Sequence, residues 1–433
     1  MDRLIYKKLL DWKSSPERKP LIVRGVRQCG KTYILRKFGE ENYSNVAYFN
    51  FEETKDLEMI FKPDLDPNRI LDDLRLRYHS EISSDTLLIF DEIQICGAAL
   101  TAMKYFYEKA PQYHVICVGS LLGVMLSKPT SFPVGKVTFM TMYPMSFPEF
   151  LAATGEHDLF EKLNTMTVNE SISEVFMTVL MRTYKEYCFV GGMPEAVKSW
   201  ISRRDPQTIR DIQSQILMAY WSDFAKYAPP KDVQKLNNVW TSIPTQLSKE
   251  NKKFLFGHAV KGARAKDLED ALQWLIDAGL VIKVNMISRP FLPLSAYAEM
   301  TSFKLYYADV GLLGAMAKLP ASALLSSDDR YKEFKGGMTE NYVLTELITS
   351  TEAVPFYWRS GNRAEVDFVH LIRDIIVPIE VKSGFPGRIQ SMERYMDEYD
   401  PDQAFVVSEH NLRVGKLTHI PLPMVWKLKD YVD

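Results

Sequence analysis

Gly25, Val26, Arg27, Gln28, Cys29, Gly30, Lys31 and Thr32 carry the spacing G-x-x-x-x-G-K-S/T. Glycines at both ends let such a loop turn its backbone N–H groups inward onto phosphate oxygens. Lys31 supplies a cation for the β- and γ-phosphates, and Thr32 a hydroxyl for Mg2+. A helix opening near Lys31 adds its positive N-terminal end. A chain of 433 residues meets this pattern by accident only ~1–2 times in a hundred. About sixty residues on, Thr86-Leu-Leu-Ile-Phe-Asp-Glu92 is an apolar run that ends in two acids. Asp91 is placed to hold Mg2+, directly or through water. Glu92 is placed to polarise the attacking water, the role that separates hydrolysis from binding. Thr32 and Asp91 are thus the expected metal ligands, Lys31 and Glu92 the catalytic groups, and ATP with Mg2+ the expected cofactors. A further apolar run at 114–118 leads into Gly119 and Ser120. The Ser120 hydroxyl suits either a γ-phosphate sensor or a plain turn. Cys29 reads as an oxidation-sensitive thiol or simply as a small residue that fits the loop.

These groups need a scaffold that brings them to one edge. β-rich runs at 21–24, 46–50, 86–90 and 114–118, with helix-length spacers between them, predict strands of a parallel sheet covered on both faces. Residues 145–227 read mainly as helix with a Gly191-Gly-Met-Pro194 break, and 228–330 as short helices and a hairpin. Residues 331–433 return to helix, strand, strand, helix, strand. At ~100–200 residues per domain, this length holds two to four domains. The expected organisation is an ATPase core at 1–144, a helical extension at 145–227, a middle region at 228–330 and a C-terminal α/β domain at 331–433.

Composition removes other classes. An apolar fraction of 46% with 25% charged residues excludes a largely disordered, collagen-like or coiled-coil chain. No apolar run approaches the ~20 residues that cross a bilayer, so no membrane partner is expected. The opening MDRLIYKKLLDW lacks the continuous apolar stretch of a secretory signal. Cys29, Cys96, Cys117 and Cys188 form no CxxC pair and read as reduced thiols of a cytoplasmic protein. A net charge of −2 excludes a protein that coats nucleic acid by charge alone, so any such contact needs a local patch.

Residues 19–32, Phe90-Asp-Glu-Ile-Gln94 and Gly119-Ser120 resemble a prokaryotic family that joins an AAA-type P-loop ATPase domain to a C-terminal domain of unknown function. Tyr143-Pro-Met-Ser-Phe-Pro-Glu-Phe150, Gly191-Gly-Met-Pro-Glu195 and Tyr306-Tyr-Ala-Asp-Val-Gly311 extend the resemblance over nearly the whole chain. It implies an ASCE-type fold with Ser120 at the sensor position. Where the family often has Gly-Arg, this chain has Gly135-Lys136, a cation without the bidentate fork. Sites of AAA type often borrow an arginine from the next subunit, which implies a homo-oligomer, but no arginine here stands out for that role.

In the middle region, Leu268, Ala271, Leu272, Leu275 and Ile276 recur at helical spacing, Gly279 is a helix stop, and a β-rich run follows at 280–284. Helix, glycine, strand is the order of a winged helix-turn-helix, and the family resemblance points the same way. Lys249, Lys252, Lys253, Lys261, Arg264 and Lys266, opposed by Glu250, form either a DNA-phosphate patch or a solvated face. In the C-terminal block, Glu340 lies in a helical stretch, Asp367 in a strand-like run, and Glu380 and Lys382 on one face of a following strand. Glu, Asp and Glu-x-Lys in the order helix, strand, strand resemble the PD-(D/E)xK nuclease superfamily, in which the acids bind Mg2+ and the lysine helps activate water. The alternative is a relic of that fold whose polar residues form an ion-pair cluster. The chain as a whole reads as a Mg2+-dependent ATPase whose nucleotide state controls winged-helix and nuclease-like domains in contact with DNA. The second reading is a signalling or scaffold NTPase that switches a protein partner.

Overall fold

The computed structural model describes residues 3–119, 135–167, 170–325, 329–361, 364–384 and 389–432. It divides into two compact units, Met1–Pro144 with Asp277–Leu280, and Met145–Ile276 with Val281–Asp433.

In the first unit, β1 (Leu21–Arg24), β2 (Asn45–Asn50), β3 (Thr86–Asp91), β4 (His114–Gly119) and β5 (Thr138–Thr141) form one sheet. Its order is β2-β3-β4-β1-β5, and every pair is parallel. β3 is buried along its whole length and β4 at all but its first residue. Helices cover both faces of such strands, so they appear in the sequence as unbroken apolar runs. The four runs expected to be parallel strands are four of these five. β5 is an edge strand with two exposed residues, and no apolar run announces it. On one face, Phe49, Phe51, Phe61, Phe90 and Phe106 form a chain of ring contacts backed by Ile70, Leu71 and Leu74. Because the strands are parallel, the loops after β1 and β3 emerge at the same edge, where ligands bind in open α/β sheets.

The second unit holds a seven-stranded mixed sheet. β6 (Val281–Ile287) and β7 (Ala298–Tyr307) form a hairpin. β8 (Phe356–Ser360), β9 (Ala364–Ile372), β10 (Ile375–Val381), β11 (Ala404–Ser408) and β12 (Leu417–Pro421) complete the order β12-β11-β10-β9-β8-β6-β7. The hairpin of the middle region and the strands of the C-terminal block therefore share one sheet. The helix read from 268–276 spans Ala265–Asp277, with Leu268, Ala271, Leu272 and Leu275 buried, and Gly279 follows at φ 73°. Short β8 and β12 did not stand out from their surroundings in the sequence. The helix Lys332–Thr351 carries Glu340.

The Gly191-Gly192 break and the Asp309 motif are two halves of one device. Asp309 Oδ2 accepts from Gly192 N at 2.6 Å, and Oδ1 accepts from Leu312 N at 2.9 Å. Gly191 sits at φ 75°, and a Cβ there would lie 2.3 Å from Asp309 Oδ1. Burial raises the Asp309 carboxyl to about 6, against the pull of the N–H donors from Gly192, Leu312 and Gly311. All four cysteines are buried free thiols, and burial raises those of Cys96, Cys117 and Cys188. No described helix is long and apolar enough to cross a membrane.

Candidate nucleotide-binding site

The loop from Gly25 to Thr32 leaves β1 and enters the helix Lys31–Asn42. Its path demands glycine at both ends. At Gly25 a Cβ would fall 2.0 Å from the carbonyl oxygen of Met142, and Gly30 caps the helix at φ 95°. Gln28 also takes a left-handed conformation, at φ 65°. Arg3 anchors the loop from outside: Nη1 donates to Cys29 O at 2.9 Å and Nη2 to Tyr143 O at 2.6 Å. Cys29 itself is buried, with Sγ 3.6 Å from Met142 O. Lys31 is buried and folds back on its own loop, with Nζ 2.8 Å from the carbonyl oxygens of both Gly25 and Val26. Its charge is thus held inside the loop, where a phosphate would compete for it.

Thr32 Oγ1 donates to Asp91 Oδ2 at 2.8 Å, which joins two motifs 59 residues apart. Asp91 is buried at the end of β3 and accepts twice more, from Tyr48 OH at 2.7 Å and from the Glu92 N–H at 2.8 Å. Burial, then the Asp91 carboxylate, raises the Tyr48 phenol, which keeps it a donor. The Arg36 guanidinium lies 3.9 Å from the centre of the Tyr48 ring. Glu92 sits at φ 51°, a left-handed conformation costly for a non-glycine residue, and Gln94 Nε2 donates to its Oε2. Arg3 and Tyr48 carry no sequence signal of their own, because each acts through a partner that spacing does not reveal, whereas Gln94 closes the Phe90–Gln94 motif.

A hydroxyl beside a single carboxylate fits Mg2+, which keeps several waters and takes phosphate oxygens rather than a cage built wholly of protein groups. Among the described residues, no group of three or more His, Cys, Asp or Glu is arranged to hold a metal.

Residues 17–151 match the AAA domain family. That match takes in the whole five-stranded sheet with the loop and acid pair just described. Beyond it, residues 181–323 match a domain of unknown function (DUF8612), and residues 335–425 match another (DUF4143). An AAA-family match followed by a C-terminal match of unknown function agrees with the family resemblance. Among solved structures, the Walker-type ATPase PABY2304 of Pyrococcus abyssi is 14% identical, with 73% of this chain and 95% of that one covered at a TM-score of 0.46. The ORC1 protein of Aeropyrum pernix, in complex with DNA, is 11% identical, covering 74% and 91% at 0.28. AMPPCP-bound DnaA from Aquifex aeolicus is 15% identical, covering 64% and 88% at 0.26. No curated protein matches the chain.

Outside the AAA domain's loop and acid pair, the expected site residues fall as follows. Ser120 lies outside the described residues. Lys136, at the position of the family's arginine, pairs with Glu108 at 3.1 Å. Of the basic cluster, Lys261, Arg264 and Lys266 are exposed, Lys249 meets His258 Nδ1 at 3.0 Å, and Lys253 donates to Ser302 at 2.9 Å. Lys252 turns inward and pairs with Glu340. In the second unit, Glu340, Asp367, Glu380 and Lys382 come together, joined by groups that spacing did not single out. Lys304, fully buried on β7, lies 2.7 Å from Glu365, 3.6 Å from Glu340 and 3.8 Å from Asp367. Tyr306 OH donates to Glu340 at 3.0 Å, the Val381 N–H to Asp367 at 2.9 Å, and Lys382 to Glu380 at 2.7 Å. Burial raises Asp367, and the charges of Glu340 and Glu380 raise it further. Burial would raise Glu340 too, but Lys252 and Lys304 outweigh it and hold that carboxyl below its ordinary value. The signal for Lys304 was a lone lysine inside the run Phe303-Lys-Leu-Tyr-Tyr307, because a lysine buried in a strand needs acids to face.

Proposed function

We propose that the AAA domain binds ATP with Mg2+ and hydrolyses it, and that the nucleotide state controls how the second unit engages its target. The observation that carries this reading is the Thr32–Asp91 hydrogen bond, which closes the phosphate loop onto the acid pair. The loop N–H groups and Lys31 would hold the phosphates, Lys31 exchanging the carbonyls of Gly25 and Val26 for phosphate oxygens. Thr32 and Asp91 would hold the metal, which supplies charge neutralisation on the transferred phosphoryl group. Glu92 accepts the proton of a water that attacks the γ-phosphorus. The bond from that phosphorus to the bridging oxygen breaks, and ADP and phosphate leave. Turnover that survives both Lys31→Ala and Glu92→Gln would overturn this assignment.

The target on this reading is DNA, met by the exposed Lys261, Arg264 and Lys266 of the winged-helix-like segment. The inward turn of Lys252 and Lys253 thins that patch and favours, as a second reading, a switch acting on a protein partner. Double-stranded DNA added to the ATPase assay separates the two. Stimulation abolished by neutralising Lys261, Arg264 and Lys266 supports DNA, and indifference supports the protein partner.

A further inference from the structure

The acid cluster of the second unit has the residue types of a divalent-metal nuclease site, and its contacts test whether a metal fits. Four carboxylates, Glu340, Glu365, Asp367 and Glu380, face four cations, Lys252, Lys304, Arg359 and Lys382. Each carboxylate already faces a cation, and a divalent ion would have to compete with it. The oxygens are also engaged. Glu340 takes Lys252 and Tyr306, and Asp367 takes the Val381 N–H with Lys304 beside it. Glu380 takes Lys382. Glu380 Oε2 is buried without a hydrogen-bond partner.

Lys304 decides the matter by its position. β6 pairs with β8 only at Met286 and Ile287, so the hairpin is free of β8 over the rest of its length. That freedom lets Lys304 of β7 reach Glu365 and Asp367 of β9, with its ammonium 5.0 Å from the centre of the Tyr357 ring. The side chain is wholly buried, and burial of an ammonium is tolerable only among opposite charges.

We propose that the Lys304 ammonium, held among Glu340, Glu365 and Asp367, is the resident cation of this cluster and takes up two carboxylates, Glu340 and Asp367, that the resembled PD-(D/E)xK pattern would give to a divalent ion. The second unit then binds its target without cutting it, and the carboxylates serve to join the hairpin and the Lys252 segment to the C-terminal strands. A latent metal site lies beneath the lysine, exposed when its charge is removed.

The test uses the full chain in an Asp91→Asn background, so that the nucleotide site does not report, with Mn2+ as the probe in calorimetry and electron paramagnetic resonance. With Lys304 in place, no stoichiometric Mn2+ site is expected. Lys304→Met keeps the apolar stem, and with the charge gone Mn2+ affinity should rise by about tenfold or more, because Asp367 loses its only paired cation among the described residues and the cluster is left one positive charge short. Asp367→Asn added to it should remove the gain. One equivalent of Mn2+ bound with Lys304 present, and lost in Asp367→Asn, would overturn the proposal whether or not the Lys304 variant folds. A folded Lys304→Met that gains no site would overturn it as well. So would Mg2+-dependent plasmid cleavage that disappears in Asp367→Ala. None of these outcomes depends on whether the AAA domain hydrolyses ATP.

Discussion

Removing Arg3 tests how the phosphate loop is held. Its guanidinium spans two carbonyls, of Cys29 inside the loop and of Tyr143 beyond β5, at 2.9 and 2.6 Å, and its side chain is buried. Hydrogen bonds to a charged group are worth ~1.5–3 kcal/mol each, so Arg3→Ala removes about 3–6 kcal/mol of support. Part of that loss falls on overall stability. The part felt as loop disorder must be reversed by ATP when it binds, and ~2 kcal/mol of such ordering corresponds to an increase in Kd of about 30-fold. Arg3 touches none of the reacting atoms, so kcat at saturating ATP should change far less than KM. Arg3→Lys should recover only part of the affinity, since a point charge on a flexible stem cannot bridge both carbonyls as the planar fork does. The assay is a fluorescent-nucleotide titration paired with steady-state turnover and a thermal melt. If Arg3→Ala binds ATP within about twofold of the parent while remaining folded, the loop does not depend on this anchor and the reasoning fails.

Further predictions concern chemistry and stability. Glu92→Gln should keep ATP binding and lower kcat by about 10²–10⁴-fold, read by single-turnover kinetics. Gly191→Ala should destabilise the second unit by ~2–4 kcal/mol in urea titrations, since its Cβ must displace the Asp309 carboxylate at a left-handed backbone position. Glu346 is fully buried, and burial raises its carboxyl to about 8 while its Oε1 accepts from the Phe147 N–H at 2.8 Å. Because the folded value lies above the unfolded one, the folded state retains a proton that the unfolded chain releases. Stability should therefore fall as pH rises from about 4.5 towards about 8. Glu346→Gln retains the acceptor without the titration, so its melting temperature should decline less over the same range.

The AAA domain was legible because its chemistry is local. The loop is eight contiguous residues, and the strands that position it are buried on both faces, so pattern and burial coincide. What escaped the sequence acts across distance. Tyr48 reaches Asp91 over 43 residues, and Lys252 reaches Glu340 over 88, and neither separation leaves a periodic trace. The basic run at 249–266 gave residue types but not their directions, because the inward Lys252 is fixed by an acid on a distant helix. The C-terminal set was read from strand placement, the helix with Glu340 and the resemblance to a nuclease superfamily, and its four side chains do lie together. Its cation was missed because Lys304 sits on a hairpin that the sequence assigns to another block.

The shared seven-stranded sheet has a consequence for inheritance. The matched segments 181–323 and 335–425 divide it between β7 and β8, so each supplies part of the same hydrogen-bonded layer. Cutting the gene between them would leave the hairpin without its neighbour and β8 with a bare edge, a template for aggregation. A rearrangement that kept the sheet whole would have to move these two segments together.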